Sequence, residues 1–261
     1  VVALIARLKS QRLKQKVLKH FHSNELIVDL YLRLSSSQKA KVILASSNLA
    51  EDYPLVALFK EKGFPTFQGD AISVIDRMLH LAFNERAGAI FRVTGDNPFT
   101  DPILMDEMVA LLIENNLDYV RVNGAPFGIG AELFSTEYLW KLYLKLHTTE
   151  FSEYLTWYVL NDNDVRIGCI DIEYDKSYSL VNLSVDLLED YHRCLKLLEK
   201  INILDFTKIS LNDIYNKLDC IEKVDDTKFI KLPQREIIML RDYQKKFEEK
   251  KYIIRKKNKI S

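Results

Sequence analysis

Between Arg7 and Lys19 the sequence places six cations, Arg7, Lys9, Arg12, Lys14, Lys16 and Lys19, and no acidic residue. Charges of one sign so closely spaced repel one another unless an anion neutralises them. A triphosphate carries enough charge to do so, and it accepts arginine in forked geometry and lysine as a point charge. Taken alone, the same run also describes a solvated basic face. A second group, Arg92-Val93-Thr94-Gly95-Asp96-Asn97-Pro98, sets one carboxylate among turn residues. There Asp96 holds a magnesium ion on phosphates, or it simply makes an Asx turn. In a third, Leu183-Ser184-Val185-Asp186, Asp186 either caps the following helix or supplies a second metal carboxylate.

The surrounding pattern says what must position these groups. Val1 to Ala6 is a continuous apolar run ending in the basic stretch, as expected of a buried strand feeding a functional turn. Ala40 to Ala45 repeats it before Ser46, Ser47 and Asn48. A helix follows from Asp52 to Lys62, with Pro54 in its first turn and Gly63 as its cap. Next come a short strand at Pro65 to Phe67, a helix over Ile72 to Arg86, and an apolar strand at Ala89 to Val93. Asp101 and Pro102 read as an N-cap and first helical residue, ahead of a stripe of Leu104, Met108, Leu111 and Leu112. Strands are expected again at Leu117 to Val122 and Val165 to Ile172, and Ala131 to Phe134 follows a Gly-rich turn with no structure assigned to it. Between them lie the Gly-rich turn Gly124 to Gly130 and a helix rich in Tyr, Leu and Trp; a last helix covers Leu187 to Lys200. Strands alternating with helices imply a largely parallel sheet covered on both faces, with its ligand at the carboxyl ends of the strands. The loops at 7–16 and 94–101 leave those ends. From Ile201 the chain is rich in Lys, Asp and Glu with no clear strands, and 234–257 reads as one exposed helix. The expected division is therefore a domain at 1–200 and a helical extension at 201–261, packed against that domain or against a second subunit in a homodimer.

Bulk composition narrows the function classes. The 261 residues are 48% hydrophobic and 28% charged with zero net charge, so a sizeable core is available and net charge points to neither a polyanion nor a membrane surface. Three widely spaced cysteines, Cys169, Cys194 and Cys220, fit neither a disulfide framework nor a zinc site and suit a reducing cytoplasm. No run approaches the ~18 apolar residues of a membrane span, and a cytoplasmic location is expected.

Ala6-Arg7-Leu8-Lys9-Ser10-Gln11-Arg12-Leu13-Lys14-Gln15-Lys16-Val17-Leu18 resembles the N-terminal signature of the CMP-sugar synthetase superfamily, within it the cytidylyltransferases similar to spore coat polysaccharide biosynthesis protein F. Further matches follow in order: Ala45-Ser46-Ser47 with Asp52, Pro54 and Leu55; Gly69-Asp70 with Val74, Asp76 and Arg77; Arg92 to Pro98 with Asp101-Pro102; Gly128 to Phe134; and Ser184-Val185-Asp186 with Glu189-Asp190. The resemblance spans about residues 1 to 200. It implies a three-layer, Rossmann-like mixed α/β sheet of the nucleotide-diphosphosugar transferase type. The implied reaction moves CMP from CTP to a hydroxyl of an acidic sugar or similar small acceptor, with release of pyrophosphate, in polysaccharide biosynthesis. By the resemblance Arg7, Ser10, Arg12 and Lys16 hold the CTP phosphates, Asp96 and Asp186 bind Mg²⁺, Ala45, Ser46 and Arg77 contact the nucleotide, and Glu132 and Glu153 face the acceptor. Arg7, Lys16 and Asp96 carry the catalysis.

This chain departs from the family where Lys9 replaces a common Gly and Lys14-Gln15 a common Pro-Gly. Gly130, Tyr154 and Asn182 replace an acid, a histidine and a basic residue. Gly permits close backbone approach to phosphate, so an altered loop geometry is expected. Three rival readings are a glycosyltransferase using Asp162-Asn163-Asp164, a nucleic-acid binder using the basic loop and the tail cations Lys245 to Lys259, and a non-catalytic nucleotide-binding scaffold. The first motif reads better as a surface turn. The second lacks interleaved aromatics and a net positive charge.

Overall fold

The computed structural model describes residues 1–9, 12–174, 176–223, 229–233 and 236–259. Eight strands make one sheet: β1 (Val2–Ile5), β2 (Val42–Ser47), β3 (Thr66–Gly69), β4 (Ala89–Thr94), β5 (Tyr119–Asn123), β6 (Glu132–Ser135), β7 (Ile167–Glu173) and β10 (Ile254–Lys259). Across the sheet the order is β10-β7-β5-β6-β4-β1-β2-β3. Every neighbouring pair is parallel except those of β6, which runs antiparallel to both β4 and β5. A small antiparallel hairpin of β8 (Phe229–Lys231) and β9 (Ile237–Met239) stands apart from it. The largely parallel sheet expected from the alternating pattern forms, in the mixed three-layer arrangement that the resemblance implied.

Both faces are covered. On one lie α1 (Leu26–Leu34), α2 (Tyr53–Glu61), α4 (Pro102–Glu114), α7 (Leu188–Ile201) and the short α8 (Leu211–Tyr215), packed on Val2, Leu4, Leu44, Phe91, Val93 and Val120. On the other lie α3 (Val74–Asn84), α5 (Thr136–Lys145) and α6 (Leu155–Asn161), packed on Ala3, Ile43, Ile90, Tyr119 and Phe134. Strands buried on both faces explain the unbroken apolar runs in the sequence. The helix starts follow local chemistry. Asp101 accepts from the Leu104 amide at 2.9 Å with Pro102 in the first turn, and Ser73 accepts from the Asp76 amide at 3.2 Å. Gly63, at φ 72°, ends α2 in the left-handed region that a side chain disfavours.

Three elements differ from expectation. β6 and α1 lie inside segments with no assigned structure, although Leu26, Leu30 and Leu34 of α1 recur at helical spacing and are fully buried. The single helix over 234–257 is corrected: α9 covers only Leu240–Glu249, and the chain then extends as β10 along the open edge of β7. The expectation of no clear strands in the tail fails with it. Residues 234 and 235 lie outside the described residues. Strand formation there has a physical reason. The edge of β7 offers unpaired backbone groups, and each of three successive tail cations finds a carboxylate beside it: Arg255 with Asp171, Lys256 with Glu107 and Lys257 with Glu173.

Candidate active site

The loop after β1 carries cations on a framework of buried leucines. Leu8, Leu13 and Val17 sink into the core between the charged residues, which leaves Arg12 and Lys16 to turn out over the carboxyl end of the sheet. Asp52 fixes the start of the loop by accepting from the Leu8 amide at 2.6 Å and from the Ser47 hydroxyl. Lys16 opens a short 3-10 turn, Lys16–Leu18, entered through Gln15 at φ 48°. That is the position at which the family resemblance implied a Gly. The left-handed conformation costs a side-chain-bearing residue roughly 1–2 kcal/mol.

A second loop leaves β4 beside it. A Cβ on Gly95 would lie 2.7 Å from Ile27 Cδ1 and 2.9 Å from Ala6 Cβ, so only glycine lets the backbone pass that close to β1. Asp96 follows at once. Its carbonyl accepts from the Val185 amide at 2.8 Å, and the Ser184 hydroxyl donates to Asn97 Oδ1 at 2.6 Å. These bonds bind the β4 loop to the segment before α7. Asp190, not Asp186, receives the free amides at the start of α7: its Oδ2 accepts from Asp186 N at 3.1 Å and Leu187 N at 2.8 Å. The capping alternative for Asp186 is thereby excluded, and its carboxylate points elsewhere.

It points at Lys16. The ammonium donates to Asp96 Oδ2 at 2.6 Å and to Asp186 Oδ1 at 2.8 Å, and Arg12 Nη2 reaches the same Asp186 oxygen at 2.9 Å. Residues 12, 16, 96 and 186 thus converge from three segments. Burial would push the Lys16 pKa down, but the two carboxylates outweigh it and hold the ammonium above its ordinary value. Two carboxylates that share one cation also present hard oxygen donors to a divalent ion. Among the described residues no group of three or more His, Cys, Asp or Glu gathers anywhere. A pair suits magnesium, which takes one or two carboxylates and completes its shell with water and phosphate oxygens.

The other expected site residues are placed differently. Arg7 donates through Nη1 to the Ala71 carbonyl, away from the Lys16 cluster and next to Arg77. Ala45, Ser46 and Arg77 are fully buried. The Ser46 hydroxyl donates to the Ala6 carbonyl at 2.9 Å, and Arg77 donates to Asp70 O at 2.6 and 2.9 Å and to Ala45 O at 3.3 Å. Their polar groups brace the floor of the loops. Burial together with the nearby Arg7 charge lowers the Arg77 pKa to about 10. Ser10 lies outside the described residues.

Glu132 lines a cavity of about 1190 Å³ that runs from Asn97 and Ser184 to the C-terminal elements. Its carboxylate accepts from Arg92 at 2.5 Å and from the Tyr119 hydroxyl at 2.7 Å. Glu153 has an exposed side chain and meets Arg92 only through its backbone carbonyl, at 2.8 Å. The sequence reading missed Arg92 and Arg121 as cavity residues. Their charge at alternate strand positions was the available signal. Asp162 and Asp164 sit in a turn after α6 beside Lys145, and neither lines the cavity that holds Glu132.

Comparison with known proteins agrees with this geometry. Residues 1–224 match the family model described as Cytidylyltransferase. The spore coat polysaccharide biosynthesis protein SpsF of Bacillus subtilis is 29% identical over 202 residues, 75% of this chain and 84% of that protein. A cytidylyltransferase structure from Leptospira borgpetersenii superposes with a TM-score of 0.75 at 23% identity, covering 84% of this chain and 93% of that one. CMP:2-keto-3-deoxy-manno-octonic acid synthetase complexed with CTP superposes with a TM-score of 0.61 at 15% identity, covering 76% and 98%. At such identities the structural likeness speaks for the fold alone. No helix among the described residues is long and apolar enough to cross a membrane.

Proposed function

The chain belongs to the cytidylyltransferase family, and we propose that the cluster of Arg12, Lys16, Asp96 and Asp186 is where it transfers CMP from CTP to a hydroxyl of an acidic sugar or similar small acceptor. The observation that carries this reading is the single Lys16 ammonium bridging Asp96 and Asp186, with Arg12 beside it. Cations and acids that neutralise one another without a ligand are the groups needed to grip a metal-bound triphosphate. One relative, named for spore coat polysaccharide biosynthesis, supports a sugar acceptor.

In this reading Arg12 and Lys16 hold the phosphates. Asp96 and Asp186 hold a magnesium ion, which supplies charge neutralisation on the phosphate oxygens. Ala45, Ser46 and Arg77 shape the nucleotide pocket from behind. The acceptor hydroxyl oxygen forms a bond to the α-phosphorus as the α–β bridging bond breaks, and pyrophosphate leaves. Positioning and fixed charge do most of the work. Lys16, which bridges the two carboxylates, would turn to the phosphates once they are bound, leaving Asp96 and Asp186 as the residues that would hold the metal.

Asp96→Asn tests this. Pyrophosphate release from CTP, assayed with and without Mg²⁺ over a panel of sugar acids, should fall at least about a hundredfold while the fold persists, the scale of a lost transition-state charge contact. A variant that keeps its rate would remove Asp96 from the reaction.

A further inference from the structure

The antiparallel insertion of β6 sets Arg92, Glu132 and Arg121 directly opposite one another. β7 and β10 continue the same row through Cys169 to Arg255. Directly opposed residues share a face of a sheet, so three arginines, one glutamate and one thiol form a single polar row. Arg92, Glu132, Arg121 and Arg255 all line the large cavity.

The charges in this row do not pair off evenly. Glu132 is taken by Arg92, Tyr119 and Thr156, and Asp171 is taken by Arg255 through two bonds. Among the described residues no ion pair reaches Arg121. The titratable groups acting on it are Tyr119, Tyr252, Cys169 and Tyr243. Its Nη1 is buried without a hydrogen-bond partner, and so is Arg92 Nε. Buried guanidinium donors left unpaired are costly and call for an explanation; a ligand oxyanion supplies the missing acceptors.

The roof over this row comes from the tail. Phe247 of α9 lies with its ring centroid 3.3 Å from Arg121 Cζ, which locks the plane of the guanidinium. Tyr243, one turn earlier, lines the same cavity and stacks on Trp157 of α6 at 6.2 Å. α9 and β10 lie beyond residue 224, where the match to the family ends. At its other end the cavity reaches Asn97 and Ser184, neighbours of the two acids at the proposed reaction centre.

Resting on the function proposed above, we propose that α9 roofs the acceptor subsite and that Arg121, held under Phe247, selects an acceptor carrying an oxyanion, either carboxylate or phosphate. The anionic end sits between α9 and the sheet, and the reacting hydroxyl faces Asn97 and Ser184. Arg121, inside the family match, and α9, beyond it, then determine acceptor choice together.

Binding of simple probes to the full chain with CTP and Mg²⁺ tests this without a known acceptor. Glucuronate is compared with glucose, and glycerol 3-phosphate with glycerol. Wild type should bind one anionic probe at least about tenfold more tightly than its neutral counterpart, a difference expected of a forked, charge-assisted contact; which pair shows it distinguishes carboxylate from phosphate. Arg121→Gln and Phe247→Leu should each reduce that preference to less than about twofold, with Arg121→Lys retaining part of it because it keeps charge but loses the fork. CTP affinity should not change in any variant, which also shows that the variants fold. No preference in wild type, or a preference that survives Arg121→Gln, overturns the inference. Failure of wild type to bind CTP with Mg²⁺ would instead overturn the proposed function.

Discussion

Arg33 makes the densest set of contacts of any buried charge in the molecule's interior. It is fully buried and donates to Thr100 O at 3.1 Å, Phe206 O at 3.3 Å, Ile209 O at 2.7 Å and Asp101 Oδ2 at 3.3 Å. One guanidinium thus ties α1 to the end of the loop after β4 and to the first turn of the tail. Burial lowers its pKa while Asp101 opposes the shift. Removing it leaves the buried Asp101 carboxylate without its cation and takes a donor from each of three carbonyls. Arg33→Ala should therefore lower unfolding free energy in denaturant by about 3–5 kcal/mol, the cost of breaking a buried pair. A loss below about 1 kcal/mol, typical of an exposed pair, would show that the network is dispensable. Asp101 was readable in the sequence as an N-cap, because capping is local. Its partner was not, because Arg33 and Asp101 are 68 residues apart.

At the scale of elements, β10 is held to β7 by charge as well as by backbone. Arg255 grips Asp171 through both oxygens, at 2.6 and 2.5 Å, and Asn123 adds a third bond at 3.0 Å. Burial alone would raise the Asp171 pKa, but Arg255 and Asn123 hold the carboxyl below its ordinary value of 3.8. A carboxyl whose folded pKa is depressed stabilises the fold above the unfolded value, and that contribution fades as pH falls through the folded value. Acid should accordingly loosen β10 before the central strands. Hydrogen exchange followed downward from pH 5 should show β10 amides losing protection below about pH 4, as the linkage requires, with β1 and β4 unchanged. Asp171→Asn should show that loosened edge already at neutral pH. Equal loss along all strands would mean that this pair does not hold the edge.

Across the whole molecule, the segment after residue 201 is built into the core. Phe206, Ile209, Ile214, Tyr215, Leu218 and Ile221 are buried in the cluster that also contains Leu4, Leu30 and Phe99. Each is worth roughly 1.5–3 kcal/mol when buried, so together they match on the order of the whole stability of a domain, about 5–15 kcal/mol. A chain ending at residue 200 should show no cooperative unfolding transition by circular dichroism, whereas one ending at 239, which loses only α9 and β10, should keep one. A cooperative transition in the shorter chain would make 1–200 self-sufficient. Four of the tail cations, which with the basic loop suggested a polyanion surface, have partners within the chain: Arg255, Lys256 and Lys257 pair with acids, and Lys250 donates to the carbonyls of Leu160 and Asp162.

The sequence by itself determined the alternation of strands and helices, the largely parallel sheet, the helix start at Asp101 and the two loops that carry Lys16 and Asp96. All of these follow from contacts a few residues apart, such as apolar runs, caps and glycine turns. Tertiary structure alone decided that Asp186 faces Lys16 while Asp190 caps α7, since both acids suit either role until the chain closes. It also decided that Arg77 and Ser46 are consumed within the fold, that the tail ends as a strand, and that Arg92, Glu132 and Arg121 stand in one row. Each of those outcomes depends on register or on a partner distant in sequence, and residue type and spacing carry no record of either.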